Sequence, residues 1–303
     1  MSFTVKKYHL AKRTKAFKFL IDQLGYSMKE AQKLIDRQRV LVNGSVLMKK
    51  SAYIKDEIGI IEFVPQTQNL KPFFQTDTFA LFDKPSGVLI HPRNRNTEYS
   101  LTHEIKYLFG PKANITHRID KETSGIVIAA KNSKTEREIK LSFENREIKK
   151  GYLAFVRGKL ENELFIDEPI LKNRDFSEVK LKVYIHEEGK PSQTIIKPLH
   201  YYDDKNITLV EALPLTGRQH QIRLHLFHVK HPIVGDPIYG VSTQIASDYL
   251  DGKLTDQERI DYTGAPRLML HANWIDFVYQ NRFCIYSQYP FADDINLCQK
   301  IPL

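Results

Sequence analysis

Strand-like runs follow one another through most of this chain instead of alternating with helices, and that order constrains its fold more than any other feature. From residue 73 onward the strand candidates are Phe79–Phe82, Ile126–Ala130, Leu153–Val156, Ile207–Leu213 and Phe283–Tyr286. A doubly wound parallel sheet would need a helix between most successive strands. The succession therefore predicts an α+β body on a largely antiparallel sheet. Ser133, with Glu136 three residues on, makes a capping-box pattern and predicts a helix carrying Ile139, Leu141 and Phe143. No internal repeat or low-complexity segment interrupts the body.

The first 64 residues are different in kind. They hold 13 Lys/Arg against 6 Asp/Glu, a net +7 out of the chain's +9, so the remaining residues are nearly neutral. A basic head on a neutral body predicts a separate module that meets a polyanion, nucleic acid before anionic lipid. Ala16, Phe17, Leu20 and Leu24 fall at helical spacing; Ser27 and Glu30 open a second helix with the stripe Met28, Ala31, Leu34 and Ile35. Arg39 to Leu47 reads as a hairpin about Asn43-Gly44, followed by a strand from Ile58 to Val64. Lys33, Arg37 and Arg39 are the candidate RNA-binding cations, with Lys29 beside them. Residues 65–72 are polar, proline-bounded and aperiodic, and read as a linker. The expected domains are thus 1–64, the linker 65–72, and 73–303.

Other classes are disfavoured. No apolar run approaches the roughly 18 residues that span a bilayer, and the amino terminus has no signal-like apolar stretch. Cys284 and Cys298 are the two cysteines, expected as free thiols in a cytoplasmic protein. His220, His225, His228 and His231 invite a metal site, but no cysteine or tight carboxylate pair completes a ligand set. A metal-dependent nuclease using Asp83, Asp120 and these histidines is correspondingly disfavoured.

Four segments carry more polar chemistry than packing requires: Asp83–Pro92, His117–Gly125, Lys149–Val156, and Thr216–Leu226 continuing to His231–Asp236. Each has a plain alternative. Asp120, after His117-Arg118-Ile119, could fold its carboxylate onto the following turn; Tyr152 could be a half-buried strand aromatic; Arg223 could be a surface charge in an apolar-alternating run.

Together, and in this order, HRIDKETSG, DKPSGVLIHP, KGYLAFVRG and TGRQHQIRLHL with HPIVGDPIYG resemble the motifs of the RluA-type pseudouridine synthases, over about residues 74 to 290. Ile119 and Ser192 depart from the commoner Leu and Ala. The head resembles the alpha-L RNA-binding motif of a ribosomal small-subunit protein, departing from it at Phe17, Met28 and Gln38. The resemblance implies a pseudouridine synthase catalytic fold on a bent, mixed, largely antiparallel sheet, preceded by a small α+β RNA-binding domain. It implies uridine isomerisation in RNA, most of all large-subunit ribosomal RNA, without metal or cofactor. Asp120 would be the catalytic aspartate, Arg223 the cation that keeps it charged, Tyr152 the aromatic against the uracil, and Arg118 the group that fills the opened RNA stack. A monomer partnered by ribosomal RNA or an assembling subunit is expected. A scaffold serving mainly as a non-catalytic assembly factor is the alternative. Residues 241–265 read as a variable insertion with no assigned role.

Overall fold

The computed structural model describes residues 3–172, 179 and 181–301. The chain forms two compact units. The first comprises residues up to Gln68 together with Pro92–His103; the second comprises Asn69–His91 and the remainder from Glu104. The segment 92–103, expected in the large domain, therefore packs with the head. Arg95 Nη2 donates to the Gln38 carbonyl at 2.9 Å, and the His103 ring meets Phe63 at 4.5 Å.

In the first unit a four-stranded antiparallel sheet runs in the order Phe3–Lys15, Tyr53–Phe63, Val40–Val42, Ser45–Val46. Helices Ala16–Asp22 and Met28–Asp36 contribute Ala16, Phe19, Leu20, Ala31 and Ile35 to its core, against Val40, Ile54, Ile58 and Ile60. Ser27 and Glu30 form the reciprocal capping box. Asn43 and Gly44 both take positive φ, 48° and 81°, as the tight hairpin demands. Met28 departs from its expected place in the apolar stripe and is exposed. The strand Phe3–Lys15 was not foreseen. It is an edge strand with no fully buried residue, so no apolar alternation marks it, and its exposed cations discourage further strand addition.

The second unit is built on a ten-stranded sheet whose main path joins eight strands. Ser124–Ala130, buried at every position, lies near its centre. It pairs antiparallel with Phe79–Lys84 and with Asn114–Ile115, and parallel with Leu270–Tyr279. Lys149–Arg157 lies between Leu270–Tyr279 and Ile207–Pro214, antiparallel to both. The sheet is thus mixed and largely antiparallel, within an α+β unit. Phe79, Leu81, Ile126, Ile128, Ile139, Ile275 and Phe277 form one core cluster under it.

Two local readings are corrected. The helix Ser133–Glu144 is capped by Asn132, whose side chain accepts from Lys134 N and Thr135 N, so Ser133 is inside the helix; Leu141 on it is exposed. The run around Arg223 is the helix Gln221–His228, buried from Gln221 through Leu226, so Arg223 is not a surface charge. Cys284 is exposed, Cys298 is buried, and both are free. No helix among the described residues is long and apolar enough to cross a membrane.

Candidate active site

Asp120 sits in the loop between Asn114–Ile115 and Ser124–Ala130, and neighbouring segments fix that loop in detail. Lys84, buried at the end of its strand, donates from Nζ to the carbonyls of Pro85, Val88 and Lys121 at 2.7, 2.9 and 2.9 Å. Burial pushes its ammonium down to about 7, while three carbonyl acceptors favour the charged form. Ser86 Oγ donates to the Glu122 carbonyl at 2.6 Å, and Gly87 N to the Lys121 carbonyl at 2.9 Å. The Asp83–Pro92 motif therefore clamps the two residues that follow Asp120. His117 is half-buried, and burial, then Lys150, push it to about 3. Its unprotonated Nε2 accepts from Ile128 N at 3.0 Å, which makes His117 an anchor of the loop.

Beyond the loop, Ser124 begins a buried relay. Ser287 Oγ donates to Asp83 Oδ1 (2.7 Å), His271 Nε2 lies 2.8 Å from Ser287 Oγ, and His271 Nδ1 lies 2.9 Å from Ser124 Oγ. With Ser287 committed to Asp83, His271 donates from Nε2 and accepts from Ser124 at Nδ1. Burial, and then Arg267, push His271 to about 3, in keeping with that neutral ring. Gly125, at φ +105°, permits the adjoining approach, because a Cβ there would lie 2.3 Å from the Ala272 carbonyl oxygen.

Arg223 reaches the site from the helix Gln221–His228. Its guanidinium is buried between two carboxylates, and the two contacts are unequal. Nε and Nη2 bind Asp236 in a fork at 2.7 and 2.8 Å, whereas Nη1 meets Asp120 Oδ2 at 3.3 Å. Asp236 also accepts from Ile238 N and Tyr239 N, at 2.8 and 3.0 Å. Burial alone would raise the Asp236 pKa, but Arg223 and these donors outweigh it and leave the pKa lowered. For Arg223, burial is likewise outweighed, here by Asp236 and then Asp120, and its pKa is raised. The cluster carries two negative charges and one positive, with the excess on the side of Asp120. Asp236 was missed as a site residue although its motif was noted. The available signal was chemical: a buried guanidinium requires a full set of acceptors, which Asp120 alone cannot supply.

Asp120, Arg118, Tyr152, His220 and Arg223 line one cavity of about 1050 Å³. Tyr152, in the strand Lys149–Arg157, is buried, and burial followed by the Asp120 charge raises its pKa, so the phenol keeps its proton. His220 Nε2 lies 3.8 Å from Asp120 Oδ2; burial and then Arg223 bring it down to about 4, so the ring is neutral at pH 7. Arg118 is exposed at the cavity, with no hydrogen-bond or ion-pair partner among the described residues. The other histidines are engaged in packing: His225 binds Thr194 Oγ1 and the Glu168 carbonyl, and His231 binds the Arg157 carbonyl. Among the described residues no cluster of three His, Cys, Asp or Glu could hold a metal ion. Lys33, Arg37 and Arg39 belong to the first unit and are not part of this cavity; Arg37 and Arg39 line a smaller one there.

The segment 241–265 also touches the loop. It forms helices Thr243–Leu250 and Asp256–Thr263, and Arg259 Nη2 on the second donates to Glu122 Oε2 at 2.6 Å. The Arg259 guanidinium lies over the Tyr249 ring, 5.2 Å from its centroid. Burial pushes the Glu122 pKa up, but Arg259 and Tyr249 more than offset this and leave it lowered. A charged brace thus runs from this segment to a residue two positions after Asp120.

A family model described as RNA pseudouridylate synthase matches residues 78–228. A Helicobacter pylori protein described as an uncharacterized RNA pseudouridine synthase is 37% identical over 281 residues, covering 92% of this chain and 93% of that protein. Ribosomal large subunit pseudouridine synthase D of Buchnera aphidicola is 31% identical, covering 82% of this chain and 81% of its own. The solved structure of human RNA Pseudouridylate Synthase Domain Containing 1 superposes with a TM-score of 0.61 at 25% identity, covering 79% of this chain and 92% of that one.

Proposed function

The chain belongs to the RluA-type RNA pseudouridine synthases, and from that membership we propose that it isomerises particular uridines of large-subunit ribosomal RNA with Asp120 as the catalytic carboxylate. The observation that carries the catalytic assignment is the unequal sharing of Arg223. Asp236 takes the forked contact, leaving Asp120 oriented by one longer bond and open to the cavity. Such a carboxylate is aimed and available.

The chemistry follows from the reaction. Breaking the bond from the anomeric carbon to uracil nitrogen develops positive charge on the sugar, as in glycoside hydrolysis. Asp120 would stabilise that charge or attack it. The freed uracil must turn within a closed space and bond again through a ring carbon, which then loses its proton while the nitrogen regains one. Tyr152 offers a flat face and a protonated hydroxyl to the base; with its pKa raised, it is a donor in the resting site. The exchange is redox-neutral and needs no phosphate chemistry. Reaching a stacked uridine requires flipping it out at a cost of roughly a few kcal/mol, and the unpartnered Arg118 side chain is suited to the space it leaves. Lys33, Arg37 and Arg39 would hold flanking RNA by its phosphates. The Buchnera relative's name favours the large ribosomal subunit.

Pseudouridine mapping of ribosomal and transfer RNA in a deletion strain tests this reading. Loss of signal at large-subunit positions is expected, restored by the wild-type gene and not by Asp120→Asn. Restoration by Asp120→Asn would overturn it.

A further inference from the structure

The first unit contains a second cavity, of about 320 Å³, lined by Phe3, Arg37, Arg39, Arg93, Asn94 and Arg95 among others. Two of its arginines come from the sequence that precedes the hairpin. The other two come from a loop more than fifty residues later, which follows the Asp83–Pro92 motif and packs with this unit. We propose that these four arginines form a single phosphate-binding pocket for the RNA backbone, assembled only when the loop 92–97 docks on the head.

Several observations converge on this. None of the four guanidiniums has an ion-pair partner among the described residues, so their repulsion is not relieved from within. The Arg39 pKa is lowered chiefly by burial and further by the neighbouring charges of Arg37 and Arg95. An unneutralised group of like charges costs stability and is tolerable where an anion visits. The arrangement is also held in place. Arg95 Nη2 is tied to the Gln38 carbonyl, and the Arg39 guanidinium lies over the Phe3 ring at 4.9 Å. Thr97 Oγ1 accepts from the backbone N–H groups of Arg93 and Asn94, and Asn94 Oδ1 accepts from Asn96 N, which closes the loop into a tight turn. The Phe3 face is occupied by Arg39, so this ring is not an open platform for a base. Four planar forks without a free stacking surface suit a phosphodiester, a contact that positions RNA without reading its sequence.

The inference rests on the RNA-modifying reading, and its test is independent of turnover. Binding of a fluorescein-labelled hairpin RNA to full-length Asp120→Asn protein is measured by anisotropy across a salt series. Arg93→Gln/Arg95→Gln should flatten the plot of log affinity against log salt by about 0.7–0.9, the contribution of one phosphate contact. Arg37→Gln/Arg39→Gln should do the same, and all four changes together should flatten it by clearly less than the sum, because the pairs share their phosphate. Arg93→Gln alone, whose side chain makes no hydrogen bond among the described residues, should weaken binding without disturbing the fold. An unchanged slope in the Arg93→Gln/Arg95→Gln protein would overturn the pocket, and so would fully additive slopes. Failure to find pseudouridine in cells would leave these binding results standing, so the two readings fail separately.

Discussion

The two units use arginine in opposite ways. In the large unit Arg223 is buried and matched by two carboxylates, and its charge never leaves the protein's own account. In the first unit Arg37, Arg39, Arg93 and Arg95 share a cavity without any ion-pair partner among the described residues. A neutralised cation orients a neighbour, whereas an unneutralised group attracts a ligand. On the proposed reading, the first unit attracts RNA by charge, while the large unit orients its carboxylate with a paired arginine and leaves only Arg118 unpaired at its cavity.

The strongest way to break this comparison is at Asp120. Asp120→Asn should abolish pseudouridine formation in a single-turnover assay while RNA affinity and its salt dependence stay at wild-type values. Because the change removes a negative charge, a gain in affinity with a steeper salt dependence would mean that the large unit also attracts RNA by charge. Asp236→Ala removes the stronger partner of a buried guanidinium and should cost about 3–5 kcal/mol, read from urea melts. If Asp236→Ala proves nearly neutral, Arg223 is held by Asp120 after all, and the unequal geometry has been misjudged.

Acid should act on the interior and spare the arginines. His117 and His271 have native pKa values of about 3, so below an ordinary histidine value of about 6.5 the unfolded chain takes up protons that the native one refuses. Stability should therefore fall as pH drops from about 6.5 towards 3, visible in denaturant midpoints. Guanidiniums do not titrate in this range, so the salt slope for RNA should be the same at either end of the folded window. The smallest effect is expected at the brace. Arg259→Ala leaves the buried Glu122 carboxylate with only Tyr249 and the longer Lys121 contact, at about 1–3 kcal/mol. Turnover should fall, and replacing Glu122 by Gln in the same protein should recover part of the lost stability.

Much of the large unit was legible from sequence because its strands are buried on both faces, as at Ser124–Ala130, and its loops carry dense polar motifs. The Asn43-Gly44 hairpin was legible because its backbone needs left-handed residues. What escaped notice has physical reasons. The helix Gln221–His228 is buried nearly all round, so no polar face gives it a helical period. The strand Phe3–Lys15 has the reverse problem, with too little buried to alternate. Asp236 and Arg259 act through partners 13 and 137 residues away, and the docking of residues 92–103 on the head is likewise a tertiary event. No local pattern encodes such contacts.

The parallel pairing of Ser124–Ala130 with Leu270–Tyr279 has a consequence for synthesis. The strand that leaves the Asp120 loop meets its partner, Ser124 opposite His271, only after another 147 residues. Contacts of such separation form late, because a long loop must be closed before they return any stability. On the ribosome the first unit has all its residues before this partner strand has been made. The arginine pocket should therefore be complete while the large unit is still an open sheet. In a nascent chain, the capacity to hold RNA should precede the capacity to alter it.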